Sequence, residues 1–138
     1  MIGYKTLPQY PGYRFGNDGS VESAWTRRPA HDALGRFKGM DYFVGNWYQR
    51  VGAKSTCKGY LRTILKDAAR KRKNKFIHNL ICEAFHGPRP GGVREFHAAH
   101  INGNPLDNRA ENLKWATVRE NVWEDAVRHG THRSLKYV

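Results

Sequence analysis

Two histidines and five asparagines lie within residues 97–122, the stretch HAAHINGNPLDNRAENLKWATVRENV. Its pattern predicts a strand that ends at His100, a second strand that Asn112 opens, and a helix with Asn121 near its start. These three residues form one constellation, in which His100 and Asn121 can face each other across a small cleft. A neutral imidazole takes a proton from water near pH 7, and an asparagine oxygen can bind a divalent cation. Together they are the parts of a one-metal phosphodiester hydrolase.

The elements around these residues follow from periodicity and capping signals. VREFHAAHI predicts the first strand, residues 102–111 a loop, and NLKWAT the second strand, with Leu113 and Trp115 on one face. Thr117 and Glu120 form a capping box that opens the helix. The helix is expected to bury Val118, Val122 and Ala126 and to end at Gly130.

A further helix is predicted over IHNLICEAFHG, before this stretch. Its apolar residues recur at i, i+3, i+4, i+7 and i+8, which gives one apolar stripe. Gly87 and Pro88 end the helix, and GPRPGG is a linker. His78 lies off the stripe, so we expect it only to pack or to face solvent. The stripe consists of Ile77, Leu80, Ile81, Ala84 and Phe85.

The first half of the chain is richer in strand signals. Residues 13–23 alternate around Asn17-Asp18-Gly19, which predicts a hairpin with a tight turn. Residues 26–47 are weakly patterned, and we expect a loop with one or two short strands. GYLRTILK predicts another strand, residues 68–73 its turn, and residues 74–77 the returning segment.

The second predicted hairpin is crowded with cations. Six side chains this close repel each other unless an anion lies across them, so a hairpin that contacts phosphate is favoured over a solvated loop. Arg109 and Arg119, in the loop and helix of the His100 stretch, are further candidates for DNA contact. The six hairpin cations are Lys66, Arg70, Lys71, Arg72, Lys73 and Lys75.

Composition narrows the functional class. The 138 residues include 24 Lys and Arg against 12 Asp and Glu, a net charge of +12, and a small basic chain of this kind most often meets nucleic acid. No apolar run approaches the roughly 18 residues of a membrane helix, and the N-terminus lacks the apolar segment of a secretion signal. Cys57 and Cys82 are too few for a zinc ribbon or a disulfide scaffold. We therefore expect a reduced protein of the cytoplasm.

At this point a family resemblance becomes specific. The HNH motif of phage and intron homing endonucleases resembles the stretch HINGNPLDNRAENLKWATVREN. In this stretch Asn112 follows His100 by 12 positions, and Asn121 follows Asn112 by 9. IHNLICEAFHGPRP resembles the helix that leads into this motif. YPGYRFGNDGSVES resembles the module that often precedes it. The resemblance covers roughly residues 4–130.

The resemblance implies a fold and an activity. It implies an α+β chain with a small N-terminal β-rich, DNA-binding-like module over residues 1–56 and a ββα-metal nuclease core over residues 57–138. The implied activity is hydrolysis of duplex DNA by a monomer with one Mg²⁺ or Mn²⁺ ion. His100 would be the general base, Asn112 would orient it, and Asn121 would bind the metal. A phage- or mobile-element-encoded protein in a bacterial host is expected.

One departure from the family pattern concerns the metal. Many relatives carry Asp or another polar metal ligand immediately before the general base, where this chain has Ala99. Substrate phosphate and water would then complete the metal shell, which Mg²⁺ tolerates. His97, two residues earlier on the same strand face, is a candidate second ligand; a packed or solvent-facing strand residue is the alternative.

Other interpretations remain open at this level. Turn and capping chemistry could account for Asn112 and Asn121, and His100 could be an ordinary surface histidine. The chain could also be a DNA-binding protein with a decayed HNH centre, which Ala99 favours. An RNA-binding protein is a weaker alternative, because the chain has no aromatic recognition signature for RNA.

Overall fold

The computed structural model describes residues 2–56 and 59–128. Within these ranges the chain forms antiparallel sheets of four, three and two strands. Two α-helices pack with them in the described part of the chain. The elements are β1 (Tyr4–Lys5), β2 (Tyr13–Gly16), β3 (Val21–His31), β4 (Phe37–Arg50), β5 (Lys54–Ser55), β6 (Leu61–Lys66), β7 (Arg72–Phe76), α1 (Ile77–His86), β8 (Phe96–His100), a 3₁₀ turn (Ala110–Asn112), β9 (Leu113–Thr117) and α2 (Val118–Arg128).

The first sheet has the strand order β1-β2-β3-β4. Its β2–β3 hairpin confirms the predicted turn at Asn17-Asp18-Gly19, because Phe15 pairs with Val21 across it. The prediction of a loop with short strands over residues 26–47 was wrong. The long strands β3 and β4 pair with each other there, and most side chains are exposed on both faces. Apolar alternation arises from burial on one face, so strands without a buried face lack that signal.

The second sheet confirms the basic hairpin. β6 pairs with β7 in antiparallel register from Arg62 opposite Phe76 to Lys66 opposite Arg72. The return strand is β7, over Arg72–Phe76, so the predicted turn of residues 68–73 was two residues too long. Leu65 is fully buried, whereas the whole of β7 is exposed. The hairpin thus attaches to the core through β6 and presents β7 to solvent.

The last third has the predicted β-loop-β-α order. β8 pairs with β9, with His100 opposite Leu113. Thr117 and Glu120 form the predicted capping box: each backbone N–H donates to the other side chain, at 3.2 and 3.1 Å. The predicted buried stripe of α2 was only partly right, because Ala126 is buried but Val122 is 43% exposed. Gly130 lies outside the described residues.

The helix α1 lies at the centre of the buried core. Ile77, Leu80 and Ile81 are almost completely buried, as their spacing predicted, and Gly87 follows the last turn with φ 85°. Residues of the first sheet, including Phe15 and Val21, belong to the same buried cluster as α1 and Leu113. The division into domains at residues 56 and 57 stays a prediction, which limited proteolysis can test. None of the helices in the described ranges is long and apolar enough to cross a membrane.

Candidate active site

His100 lies in a cleft of about 350 Å³ between the end of β8, the start of α1 and the first turns of α2. Asn121 lines the same cleft, as the sequence predicted, and so does His97. The remaining lining comes from the segment before β6, the end of β7, the start of α1, the linker after α1, the end of β8 and the loop after it. Those residues are Tyr60, Phe76, His78, Asn79, Arg89, Val93, Ala98, Ala99, Gly103 and Pro105.

The ring of His100 is held by one side chain of the following loop. Its Nε2 lies 2.8 Å from Oδ1 of Asn108, a buried residue. Because a carbonyl oxygen only accepts, Nε2 carries the proton and Nδ1 has the free lone pair of the neutral ring. Burial lowers the pKa of His100 below the ordinary histidine value, although the hydrogen bond with Asn108 and the charge of Asp107 act in the opposite direction. The ring is therefore neutral, and so able to accept a proton, at physiological pH.

Asn112 stabilises the loop that carries Asn108. It is buried, and its Nδ2 donates to Oδ1 of Asn102 at 3.0 Å and to the backbone oxygen of Asp107 at 2.9 Å. Its Oδ1 accepts from the backbone N–H of Asn102 at 3.1 Å. Asn108, whose place in the loop turn chemistry alone would explain, makes the hydrogen bond to His100. Asn112 acts on His100 through the loop that carries Asn108.

Asp107 and Arg109 close the outer side of the loop. Arg109 pairs with Asp107 and with Glu111, both at 2.8 Å, and hydrogen bonds from Arg109 lower the pKa of Asp107 to about 2. Asn102 also donates to Asp107, at 2.8 Å. The charge of Arg109 is thus balanced within the loop, which makes this residue a weaker candidate for DNA contact than its sequence position indicated.

His78 is the functional candidate that sequence reasoning passed over. It lies in the first turn of α1, and its ring centre is 5.0 Å from that of His100 and 5.3 Å from that of Tyr60. Its Nδ1 is buried and has no hydrogen-bond partner in the described part of the protein. Burial lowers the pKa of His78 to about 3, and positive charge at His100, His97 and Arg89 acts in the same direction. His78 is therefore a neutral residue that lines the cleft. In the sequence, its position beside the apolar stripe of α1 was the feature that could have indicated this.

Comparisons with known proteins agree with this geometry. Residues 75–123, which contain His78, His100 and Asn121, match a family model described as HNH endonuclease. This segment is similar to HNH endonuclease domains. An uncharacterized HNH endonuclease of Acanthamoeba polyphaga mimivirus is 37% identical over 73 residues, which are 53% of this chain and 18% of that protein. Protein 3.8 of Escherichia phage T7 is 41% identical over 46 residues, 33% of this chain and 36% of that protein.

The fold as a whole resembles a solved structure that contains an HNH domain. That structure concerns DNA binding and cleavage by the HNH homing endonuclease I-HmuI. The TM-score is 0.63 at 24% identity, over 94% of this chain and 60% of that chain. This likeness confirms the expected α+β fold. The chain spans well under two thirds of the length of the two curated relatives, and less than two thirds of the solved chain.

The loop that follows β8 contacts a turn of the first sheet. The backbone N–H of Ala110 donates to the oxygen of Asn17 at 2.9 Å. Gly19 adopts φ 89°, and a Cβ at this position would lie 2.9 Å from the backbone oxygen of Asn108. The turn of residues 17–20 is therefore packed closely against Asn108, the residue that hydrogen-bonds to His100.

The side chains that line the cleft around His100 fit a divalent metal only in part. Within the described ranges no group of three or more His, Cys, Asp or Glu side chains could hold a metal ion. Ala99, the position of an acidic or polar ligand in many relatives, is an apolar residue and is 3% exposed. Asn121 and His97 still offer an amide oxygen and an imidazole nitrogen on the cleft wall. Such a pair fits Mg²⁺ or Mn²⁺ if substrate oxygens and water complete the shell.

The basic β6–β7 hairpin lies outside the cleft. Lys71, Arg72, Lys73 and Lys75 are exposed, and none of them forms an ion pair with an acid in the part of the chain that is described. The other two cations contact aromatic rings of the first sheet. The ammonium of Lys66 lies 3.1 Å from the ring centre of Tyr42, and the guanidinium of Arg70 lies 5.7 Å from that of Trp25.

Proposed function

We propose that this chain is a divalent-metal-dependent endonuclease that hydrolyses phosphodiester bonds of duplex DNA. The observation that carries the proposal is the neutral imidazole of His100, held through Nε2 by Asn108 in a cleft that Asn121 also lines. A match to the HNH endonuclease family over the same residues supports it. The homing endonuclease of similar fold binds and cleaves DNA, which points to the same substrate.

His100 supplies the base in this reaction. Its Nδ1 lone pair takes a proton from a water molecule as the water oxygen forms a bond to phosphorus. The bond between phosphorus and the 3′ oxygen then breaks, and the 3′ oxygen receives a proton from solvent. Asn108 holds the ring in the required tautomer, since its Oδ1 accepts the Nε2 proton. Asn112 keeps Asn108 in place through the loop.

A divalent ion, Mg²⁺ or Mn²⁺, would be held by Asn121, with His97 as the second candidate ligand. When bound, it would supply positive charge to a phosphate oxygen and to the leaving 3′ oxygen. The two side chains provide no negative charge, so the free protein should bind the ion weakly. DNA then becomes a required part of the site, because its phosphate completes the coordination.

The exposed cations of the β6–β7 hairpin would bind the DNA backbone. Lys71, Arg72, Lys73 and Lys75 have no acidic partner among the described residues, so their charge is available for phosphate. Arg119 is exposed on α2 and is a further candidate. We propose a monomer that acts in a host cytoplasm and is encoded by a phage or mobile element, in keeping with its viral and phage relatives.

A DNA-binding protein without cleavage is the second candidate function. Ala99 favours it, because the buried methyl group stands where many relatives have a polar ligand. The alternative keeps the basic hairpin and loses only the metal-assisted step. A plasmid-nicking assay therefore separates the two functions more directly than a binding assay does.

The test is conversion of supercoiled plasmid to the nicked form with Mg²⁺, with Mn²⁺ and with excess chelator. We expect nicking with either metal and none with chelator. His100→Ala should lower the rate by about 10²–10⁴-fold, the usual contribution of a general base, with DNA binding unchanged. The control is His31→Ala, since His31 is exposed and lies outside the cleft. If His100→Ala keeps a third of the wild-type rate, His100 is not the base.

The pH profile of nicking gives a second, independent readout. Burial lowers the pKa of His100, so the ring stays neutral to lower pH than an exposed histidine. Activity should therefore fall on the acidic side only below the ordinary value near 6.5. Asn108→Asp keeps an acceptor for Nε2 but adds negative charge, which should raise the pKa of His100 and move the acidic limb upward. Identical profiles for the two proteins would exclude His100 as the titrating group.

A further inference from the structure

The cleft that contains His100 has no negative charge on its wall. None of its lining residues is an aspartate or glutamate. Arg89 is the permanently charged residue of this lining, while His78 and His100 are neutral rings beside it. A cavity of this composition attracts an anion, since nothing in its lining balances the arginine.

Arg89 is held at the cleft by the linker after α1. The indole Nε1 of Trp115 donates to the backbone oxygen of Gly87 at 2.9 Å, which fixes the start of the linker. The guanidinium of Arg89 lies 5.0 Å from the ring centre of the same tryptophan. A guanidinium held next to an indole ring loses less freedom when it binds a ligand than one that moves freely in solvent.

The Nε of Arg89 is unusual among the described arginines. It is buried and has no hydrogen-bond partner in the described ranges, whereas Arg14, Arg36, Arg50 and Arg109 each pair with an acid. A buried donor without a partner is unfavourable, because it has lost its hydrogen bonds to water and gained none in return. Such a donor in the wall of a cleft indicates that a ligand supplies the missing acceptor.

We propose that Arg89 binds a non-bridging oxygen of the phosphodiester group that His100 attacks. This inference rests on the proposed nuclease function and adds a substrate-binding residue to it. A guanidinium presents its N–H donors in a fork that matches two phosphate oxygens. Negative charge on those oxygens grows as water adds to phosphorus, so Arg89 stabilises the transition state more than the bound substrate.

The kinetic test compares Arg89→Gln and Arg89→Lys with Arg36→Gln. Arg36 is exposed and lies outside the cleft, so its variant should match the wild type. Arg89→Gln should lower kcat for nicking by about 10²–10³-fold with KM for DNA changed less than about threefold. Arg89→Lys should recover part of the loss, and added guanidinium ion should partly restore Arg89→Ala. Melting curves show whether each variant is folded. If a variant unfolds, the nuclear magnetic resonance titration of the unmodified chain, described next, tests the proposal instead.

A second test uses the unmodified full chain and no cleavage. The Nε–H signal of Arg89 is followed by nuclear magnetic resonance in a phosphate-free buffer, during titration with a thymidine dinucleotide or with inorganic phosphate. A shift with the dinucleotide is expected, and a shift with inorganic phosphate alone would overturn the assignment to a phosphodiester. No shift with either ligand, or nicking by Arg89→Gln within about threefold of wild type, would also overturn it. A dinucleotide shift in a chain that never nicks DNA would refute the proposed function but leave the phosphodiester site.

Discussion

The tips of the β3–β4 and β6–β7 hairpins have the same backbone turn but a different kind of residue at the position with positive φ. In each tip an aspartate, Asp32 or Asp67, accepts two backbone N–H groups at 2.9 Å, from the residues two and four positions later. The fourth residue has positive φ in both: Gly35 at 78° and Arg70 at 62°. Arg70 is the one non-glycine residue with positive φ in the described part of the chain.

The difference separates a structural turn from a candidate binding turn. Glycine adopts this conformation freely, whereas a residue with a Cβ is strained by about 1–2 kcal/mol. The β3–β4 tip uses the unstrained residue, and the β6–β7 tip uses an arginine next to three more cations. Backbone strain that persists in an exposed loop suggests that the side chain has a role that offsets the cost. The comparison supports phosphate binding by the β6–β7 tip.

The largest expected effect comes from charge removal at the two tips. Replacing Arg70, Lys71, Arg72 and Lys73 by Gln should weaken binding to all DNA sequences alike. It should also reduce the slope of log affinity against log salt by about 0.9 for each phosphate that the protein no longer neutralises. The control at the other tip, Arg36 and Lys38 to Gln, removes two charges and should alter the slope much less for each charge removed. Equal effects per charge at both tips would refute the assignment of DNA contact to the β6–β7 hairpin.

The second prediction compares Gly35→Ala, in the β3–β4 tip, with Gly19→Ala, in the β2–β3 turn. Gly19 and Gly35 both have positive φ, but an added Cβ meets the backbone of Asn108 only at Gly19 and meets nothing within 4 Å at Gly35. Gly35→Ala should cost about 1–2 kcal/mol of unfolding free energy from backbone strain. Gly19→Ala should cost at least about 1 kcal/mol more, and it should slow nicking because Asn108 moves. Urea denaturation and the plasmid assay measure both. Equal losses would show that the contact with Asn108 contributes nothing.

The third effect exchanges the two residues with positive φ. Arg70→Gly should stabilise the protein by up to about 1 kcal/mol because the backbone strain is relieved, while DNA binding weakens and its salt slope falls by about 0.9. Gly35→Arg should destabilise the fold by about 1–2 kcal/mol, as Gly35→Ala does, because both add a Cβ at the same positive φ. Arg70→Lys, which keeps the charge and the strain, should change neither property strongly. A variant Arg70→Gly that binds DNA as well as wild type would remove the functional explanation of the strain.

The smallest effect concerns the two aspartates. Asp67→Ala should lower the unfolding free energy by about 1 kcal/mol, since its hydrogen bonds are exposed to water. Asp32→Ala should lower it slightly more, because Asp32 also pairs with Arg36 at 2.7 Å. Hydrogen bonds from Arg36 lower the pKa of Asp32 below its ordinary value of 3.8. Its contribution is therefore complete above about pH 4 and is lost as pH falls through the folded pKa, which acid melting curves detect.

Local patterns predicted several elements correctly. The spacing of Ile77, Leu80 and Ile81 identified α1, and Thr117 with Glu120 identified the start of α2, because both signals act within one or two helical turns. The long strands β3 and β4 were missed, because they are stabilised by their pairing to each other and bury little on either face. The local signal that they do carry is the Asp32–Gly35 turn between them.

The sequence by itself determined which residues could do chemistry: His100, Asn112 and Asn121 at their fixed separations, and a run of cations on one hairpin. Only the tertiary structure decided that Asn108 holds the His100 ring, that His78 and Arg89 complete the cleft, and that the turn at Gly19 braces the loop. Spacing restricts residues within one element, whereas these contacts join α1, the linker, the loop after β8 and the first sheet. Distances between such elements depend on how the shared core packs, which no short stretch of sequence encodes.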